Sequence, residues 1–181
     1  MAGATNRWAP LLLAAAAGCG YSTASLYPEN VRTIAVPIFA SKEFRRELEF
    51  DLTRDLVQTI EARTGYKVVH DRARADTELR GEVLELRTPV ISEDTDTDRP
   101  VDVEVILTCW FEWRDLRSGQ VLARRDRLSA SSTYAPAIGS GLDSATHEAS
   151  RYLAERIVEA MEKDWSIEGQ PFDARTESAG R

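Results

Sequence analysis

Apolar residues recur at helical spacing in two stretches of the chain. From Lys42 to Thr64 they occupy every fourth position, and from about Ser140 to Trp165 they are spaced by threes and fours. This spacing places the apolar side chains on one face of a helix and the charged ones on the other. Ser41 and Ser140 fit as N-caps, and Gly65 fits as the left-handed residue after the first helix. The pattern therefore predicts two amphipathic helices.

Other apolar residues alternate with polar ones, which is typical of strands. The clearest case runs from Val101 to Arg114, where every odd-numbered residue up to Trp113 is apolar except for Cys109, itself a small hydrophobe. Ser118-Gly119 can turn the chain into a returning strand at residues 121–130. Further strands are predicted at residues 31–39, 66–70 and 77–90, with a solvated acidic loop at 91–100. Gly81 indicates a bulge or a close backbone approach.

The order β-α-β-β-β-β-α predicts the architecture. Each helix has one apolar stripe and the sheet has one continuous apolar face, so both helices should cover the same face. We expect an α+β two-layer sandwich, with two amphipathic helices on one face of a mostly antiparallel four- to five-stranded sheet. Residues 31–165 form this domain, and residues 166–181, which lack periodicity, are predicted to be disordered. The opposite face of the sheet should be open to solvent or to a partner.

The first residues have the composition of an export signal. Residues 1–18 contain a positive charge at Arg7, an apolar stretch too short to span a membrane, and small residues before Cys19. This order predicts cleavage before Cys19 and attachment of diacylglycerol and acyl chains such as palmitate to that residue. Several acyl chains at one residue give stable membrane attachment. Residues 19–30 then form a lipidated tether, whereas in an ordinary secretory signal Cys19 would be incidental.

Charge and cysteine content exclude several classes of protein. The formal net charge is −7, which makes nucleic acid an unexpected partner. Acylation of Cys19 leaves Cys109 without a disulfide partner, and the apolar run around Cys109 favours a buried thiol.

The sequence contains no recognisable motif for a metal site, a cofactor site or a catalytic site. The carboxylates Asp94, Asp96 and Asp98 resemble the start of a calcium loop, but Arg99 and Val105 stand where glycine and glutamate are required. His70 and His147 lie in different elements. We therefore expect a binding or scaffolding protein and not an enzyme.

The open face of the sheet carries candidate binding residues. The cluster consists of Arg124, Arg125 and Arg127. These guanidinium groups could bind an anionic ligand, or they could neutralise acids on the neighbouring strand. A two-residue turn would place Glu112 opposite Arg125 and Trp110 opposite Arg127. That register would also turn Asp126 towards the core, so a bulge could shift the strand.

An ordered set of segments resembles the LptE family of lipopolysaccharide-assembly lipoproteins. The segments are GCGYS at the lipidation site, IAVPIF, GYKVV, ADTELRGEV and VEVILTCWFEW, followed by the returning strand and the closing helix. The resemblance covers most of residues 18–165. It also implies a sandwich of two helices and four strands.

The resemblance implies a function as well. Members of this family are held at the periplasmic face of the outer membrane by a lipid anchor, and they plug an LptD-like β-barrel that inserts lipopolysaccharide. Among the family's functional residues, Cys19 is the one that carries over to this sequence. The alternative is an auxiliary lipoprotein subunit of another envelope transport system. Co-purification of a large β-barrel would distinguish these two functions.

Overall fold

A computed structural model describes residues 31–42, 47–136 and 141–162. The described strands are β1 (Thr33–Ala35), β2 (Ala40–Ser41), β3 (Lys67–Val69), β4 (Thr77–Arg87), β5 (Val90–Glu93), β6 (Pro100–Asp115) and β7 (Val121–Tyr134). The helices are α1 (Leu48–Arg63) and α2 (Leu142–Ala160), with a 3-10 turn at Arg72–Arg74. No helix in these ranges is long and apolar enough to cross a membrane. The predicted signal, tether and tail lie outside the described residues.

The long strand β6 is the centre of a mixed sheet. It pairs antiparallel with β4 and β5 along one edge and with β7 along the other. Strand β1 pairs parallel with both β3 and β4, and β2 pairs parallel with β4. The α+β class is confirmed. The sheet is mostly antiparallel, as predicted, with parallel pairing at β1, β2 and β3. It has seven strands, so the predicted number of four to five strands is wrong.

Prolines explain the higher number of strands. The predicted strand at 31–39 contains Pro37 and is divided into β1 and β2, while the predicted strand at 77–90 is divided at Pro89. Proline has no N–H to donate to a neighbouring strand. Along β6 the pairing nevertheless continues in register across Pro89, whose carbonyl oxygen accepts from the Glu104 N–H at 2.9 Å. The predicted acidic loop is consequently shorter, because its first residues belong to β5.

Both helices lie on one face of the sheet, as predicted. Helix α2 packs against β6, β7 and α1, and α1 also contacts β2 and β3. The apolar positions of the two helices and the odd-numbered positions of β6 form one buried cluster. Its largest fully buried members include Trp113, Phe111, Phe39, Leu52, Leu56, Leu153 and Ile157. The periodicity of the sequence therefore identified the core.

The helix ends differ from the predictions. Helix α1 begins at Leu48, its N-cap is Glu47 with φ 82° and no side-chain cap, and Ser41 lies in β2 instead. At the other end the cap is Thr64, which is extended, so Gly65 does not act as a left-handed cap. The Thr64 hydroxyl donates to the Ile60 carbonyl oxygen at 2.6 Å. Ser140 lies outside the described residues, and Gly141 is the N-cap of α2.

Two glycines have clear structural roles. A Cβ at Gly81 would lie 2.4 Å from both Phe39 Cε1 and the Trp110 carbonyl oxygen, which confirms the predicted close approach. Gly119 adopts φ +75° in the turn between β6 and β7. In that turn the Asp115 carboxylate accepts from the backbone N–H groups of Arg117 and Ser118, both at 2.8 Å. The connection is longer than two residues, because β6 ends at Asp115 and β7 begins at Val121.

Candidate functional site

The face of the sheet opposite the helices is predominantly polar. Side chains of β4, β6 and β7 that alternate with the buried positions point to this face, which we call the outer face. Its charged and aromatic members are Glu78, Arg80, Glu82, Glu85, Arg87, Glu104, Trp110, Glu112, Arg114, Arg124 and Arg127. Acids and bases alternate across neighbouring strands, so the outer face is largely self-neutralised.

Glu112 is the centre of this network. The residue is 3% exposed, and its Oε1 lies 2.9 Å from the guanidinium of Arg80 and 2.8 Å from that of Arg114. Its Oε2 lies 3.7 Å from the Arg124 guanidinium. Burial alone would raise the pKa of Glu112, but the hydrogen bond from Arg114 and the charge of Arg80 outweigh burial and hold the pKa below its ordinary value. Glu112 is therefore an anion held by three arginines.

The neighbouring outer-face residues are paired in the same way. The Trp110 indole N–H donates to Glu82 Oε2 at 3.0 Å, and Lys42 Nζ lies 3.7 Å from the same oxygen. Arg127 donates to Glu85 Oε1 at 2.7 Å, across the sheet from β7 to β4. These contacts bind three strands together through their side chains in addition to their backbone hydrogen bonds.

The three candidate arginines do not share one surface. Glu112 lies opposite Arg124, and Phe111 lies opposite Arg125, so the predicted pairing of Glu112 with Arg125 is wrong by one residue. The cause is a pair of register shifts, between Cys109 and Phe111 and between Trp113 and Arg114. Arg124 and Arg127 lie on the outer face, whereas Arg125 lies at a position equivalent to the buried Phe111, on the helix side.

The register shift between Cys109 and Phe111 is a bulge, and it keeps Asp126 out of the core. This residue is exposed, and its carboxylate pairs with Arg124 at 2.8 Å instead of entering the core. Trp110 lies opposite the bulge, so the predicted register with Arg127 directly opposite is not formed. The two-residue turn would have buried the charged carboxylate of Asp126 in the core, which is unfavourable. This conflict was the signal in the sequence that pointed to the shift.

Two of the candidate arginines remain exposed on the outer face. The side chains of Arg124 and Arg127 are 58% and 64% exposed, although Arg124 pairs with both Glu112 and Asp126 and Arg127 pairs with Glu85. A guanidinium has five N–H donors, so Arg127, with one carboxylate partner, keeps more donors available than Arg124. Arg125 donates instead to the carbonyl oxygen of Arg124 at 2.8 Å. Arg124 and Arg127 therefore present hydrogen-bond donors on the outer face, whereas Arg125 does not share that face.

A second charged region, which was not predicted from the sequence, lies between the start of β1 and the turn that joins β6 to β7. Asp76 Oδ2 accepts from the backbone N–H groups of Arg32 and Thr33, each at 3.0 Å, and Asp76 Oδ1 pairs with Arg117. The backbone hydrogen bond from Arg32 is the main reason that the pKa of Asp76 lies below its ordinary value. These residues are far apart in sequence, and no spacing rule brings them together.

Cys109 is a core residue, as predicted. It is fully buried, and burial raises the pKa of its thiol to about 12. A thiol with this pKa is protonated at neutral pH and is a poor nucleophile. Cys109 therefore stabilises the core and takes no part in a reactive site.

Comparison with known proteins identifies relatives of this fold. A family model described as LptE, lipopolysaccharide-assembly, matches residues 31–161. No match is found among curated proteins. A hypothetical protein from Chlamydia trachomatis is similar in structure, with a TM-score of 0.50 and 13% identity over 72% of this chain and 98% of the other.

Two lipoproteins are similar in structure as well. Uncharacterized lipoprotein B from Nitrosomonas europaea has a TM-score of 0.50 and 11% identity, over 73% of this chain and 81% of the other. A minor lipoprotein from Acinetobacter baumannii has a TM-score of 0.42 and 17% identity, over 72% of this chain and 90% of the other. At these identities the likenesses at a TM-score of 0.50 show a shared fold.

Proposed function

Because the chain belongs to the LptE family of lipopolysaccharide-assembly proteins, we propose that it is an outer-membrane lipoprotein that assists lipopolysaccharide insertion as the plug of a β-barrel. The match over residues 31–161 carries this proposal, since it covers both helices and the whole sheet. The family is one of assembly lipoproteins and not of enzymes. Uncharacterized lipoprotein B from Nitrosomonas europaea, which shares the fold, is itself named as a lipoprotein.

The outer face supports a role inside a barrel. A barrel wide enough to pass a lipid with bulky sugars has a polar, water-filled lumen. A domain held there needs a surface that remains polar and keeps its shape. The ion pairs around Glu112 provide such a surface, because they join β4, β6 and β7 without exposing a large apolar area.

Affinity purification under mild detergent tests the partner. The tagged full chain should recover one dominant outer-membrane β-barrel at a ratio near one to one. Recovery of inner-membrane transporter subunits without that barrel would overturn the plug and favour an auxiliary subunit of another envelope transport system.

The proposed anchor is the lipid on Cys19. Mass spectrometry of the N-terminal peptide should show that the mature chain starts at Cys19 and carries covalent lipid. The Cys19→Ser chain should be unprocessed or released from membranes, while its domain keeps the same unfolding temperature. An unmodified Cys19, or cleavage at another residue, would contradict the anchor.

The proposed ligand contact involves the arginines of β7. We expect Arg124→Glu with Arg127→Glu to weaken lipopolysaccharide binding to the purified chain, because a guanidinium pairs with phosphate or carboxylate through parallel hydrogen bonds. The geometry predicts a smaller effect of Arg125→Glu, since Arg125 is on the helix side. Arg54→Glu with Arg151→Glu, two exposed arginines of α1 and α2, makes the same charge change away from the outer face. Equal loss in both double variants would remove the outer face from the binding site.

A further inference from the structure

An open basin lies at the end of the sheet that contains the start of β1 and the β6–β7 turn. Its volume is about 720 Å³, and it is lined by the 3-10 turn, the residues before β4 and the turn after β6. Three arginines face it: Arg72, Arg74 and Arg117. We call this the arginine basin.

Both carboxylates of the basin already accept hydrogen bonds from the protein. Asp76 accepts two backbone N–H groups and pairs with Arg117, and the Asp71 side chain accepts from the Ala73 N–H at 2.9 Å. The Arg72 and Arg117 side chains remain 66% and 76% exposed. Arg74 is exposed as well. Arg72 pairs with Glu78 at 2.9 Å and Arg117 pairs with Asp76, but each of these exposed guanidinium groups has five N–H donors and keeps some of them for a ligand.

The basin lies beside β1, whose first residues follow the predicted tether. Asp76, which lines the basin, binds the backbone of Arg32 and Thr33 directly. Eleven residues lie between Cys19 and Val31 in the sequence. Such a segment spans at most about 40 Å when fully extended. The basin therefore lies beside the residues that follow the predicted tether, within reach of a membrane that holds a lipid on Cys19.

The opposite end of the sheet has the opposite charge. Strand β6 has 16 residues and is about 50 Å long. Its far end pairs with β5 and carries Glu93, Asp94, Asp96, Asp98 and Asp102 against one base, Arg99. The far end is therefore strongly acidic, whereas the lining of the basin has three arginines against two carboxylates, Asp71 and Asp76.

We propose that the arginine basin binds the phosphate groups of the phospholipid leaflet that holds the anchor, and that it orients the domain with its acidic end away from that leaflet. The orientation rests on the proposed lipid at Cys19, whereas the affinity of the basin for phospholipid does not. An anionic bilayer attracts basic residues at its surface and repels the aspartates of the far end. Both effects favour the same orientation.

Vesicle sedimentation tests the basin without the anchor. The full chain with Cys19→Ser, which has no lipid, is mixed with phosphatidylglycerol vesicles at low ionic strength and with phosphatidylcholine vesicles in parallel. It should bind the former more tightly, and the difference should disappear in high salt. Arg74→Gln should weaken binding about fivefold, which corresponds to about 1 kcal/mol for one basic residue at an anionic surface.

A matched pair of triple variants distinguishes the basin from overall charge. Arg72, Arg74 and Arg117 are changed to Gln in one, and three exposed arginines of the helices, Arg54, Arg63 and Arg151, in the other. The first should lose binding at least about tenfold, and the second should bind like the parent, with folding of both checked by circular dichroism. Equal binding of the two variants, or no preference of the parent for phosphatidylglycerol, would overturn the proposal. Mass spectrometry of Cys19 tests the anchor separately.

Discussion

Glu112 on β6 lies directly opposite Arg124 on β7, and its buried carboxylate also accepts from Arg80 and Arg114. The two flanking strands are thus joined to the central one through a single anion. Since the Glu112 side chain is 5% exposed and the arginines are 37% to 58% exposed, most of the desolvation falls on Glu112. Removal of its charge should affect the whole outer face.

We expect Glu112→Gln to lower the free energy of unfolding by about 2 kcal/mol, after allowance for solvent screening of the arginines. The amide removes the charge that three guanidinium groups share. Urea denaturation measures the effect. Glu104→Gln, on the same face of the same strand, is the control and should change stability by less than about 0.5 kcal/mol. Similar losses in the two variants would show that Glu112 is not the centre of the network.

Acid should destabilise the domain through Glu112 and Asp76. The pKa of each lies below its ordinary value in the folded protein, so the unfolded chain binds protons first as the pH falls. Their contribution to stability is complete above the unfolded pKa, near pH 4.5 for Glu112, and is lost as the pH falls through the folded pKa. Denaturation between pH 7 and pH 3 should show this loss, and Glu112→Gln should make it smaller.

Asp55 provides a control, because its pKa is shifted in the opposite direction from those of Glu112 and Asp76. Burial raises its pKa, although the hydrogen bond from Ser150 opposes that effect. Its charged form therefore destabilises the fold at neutral pH. Asp55→Asn should stabilise the domain at pH 7 and have less effect in acid. A loss of stability in acid that Asp55→Asn abolishes and Glu112→Gln leaves unchanged would contradict both assignments.

The close approach of the backbone at Gly81 predicts a large effect of a small substitution. Gly81→Ala would force a Cβ against the Phe39 ring and the Trp110 carbonyl oxygen, and should cost about 1 to 3 kcal/mol. Gly65→Ala is the matched control, because nothing lies within 4 Å of its Cβ position. That variant should be neutral or slightly stabilising. Equal stabilities in thermal denaturation would show that the Phe39 ring can move aside.

The sequence predicted the parts of the fold that depend on periodicity. The apolar stripes of α1 and α2 and the alternation in β6 were correct, because burial imposes periods of 3.6 and 2 on the residues themselves. The helix start at Leu48 was not predictable, since α1 has no side-chain cap. Pro37 and Pro89 are visible in the sequence, but the breaks that they cause are not. A proline ends a strand only where a neighbouring strand would have accepted a hydrogen bond from its backbone N–H, and this depends on the pairing.

The candidate site was less predictable than the fold. The assignment of Arg124 and Arg127 to the outer face depends on a bulge whose position is set by the packing of β7 on β6. The arginine basin brings together the 3-10 turn and the β6–β7 turn, which only the sheet topology makes neighbours. Contacts of this kind carry no local signature in a single sequence.

The most direct test of the assembly role is depletion of the protein in its own cell. Both the amount of assembled outer-membrane barrel and the amount of lipopolysaccharide at the surface should then fall together, and the wild-type chain should restore both. The Cys19→Ser chain should restore them less well, because it lacks the proposed anchor. Unchanged surface lipopolysaccharide with a fully assembled barrel after depletion would contradict the account.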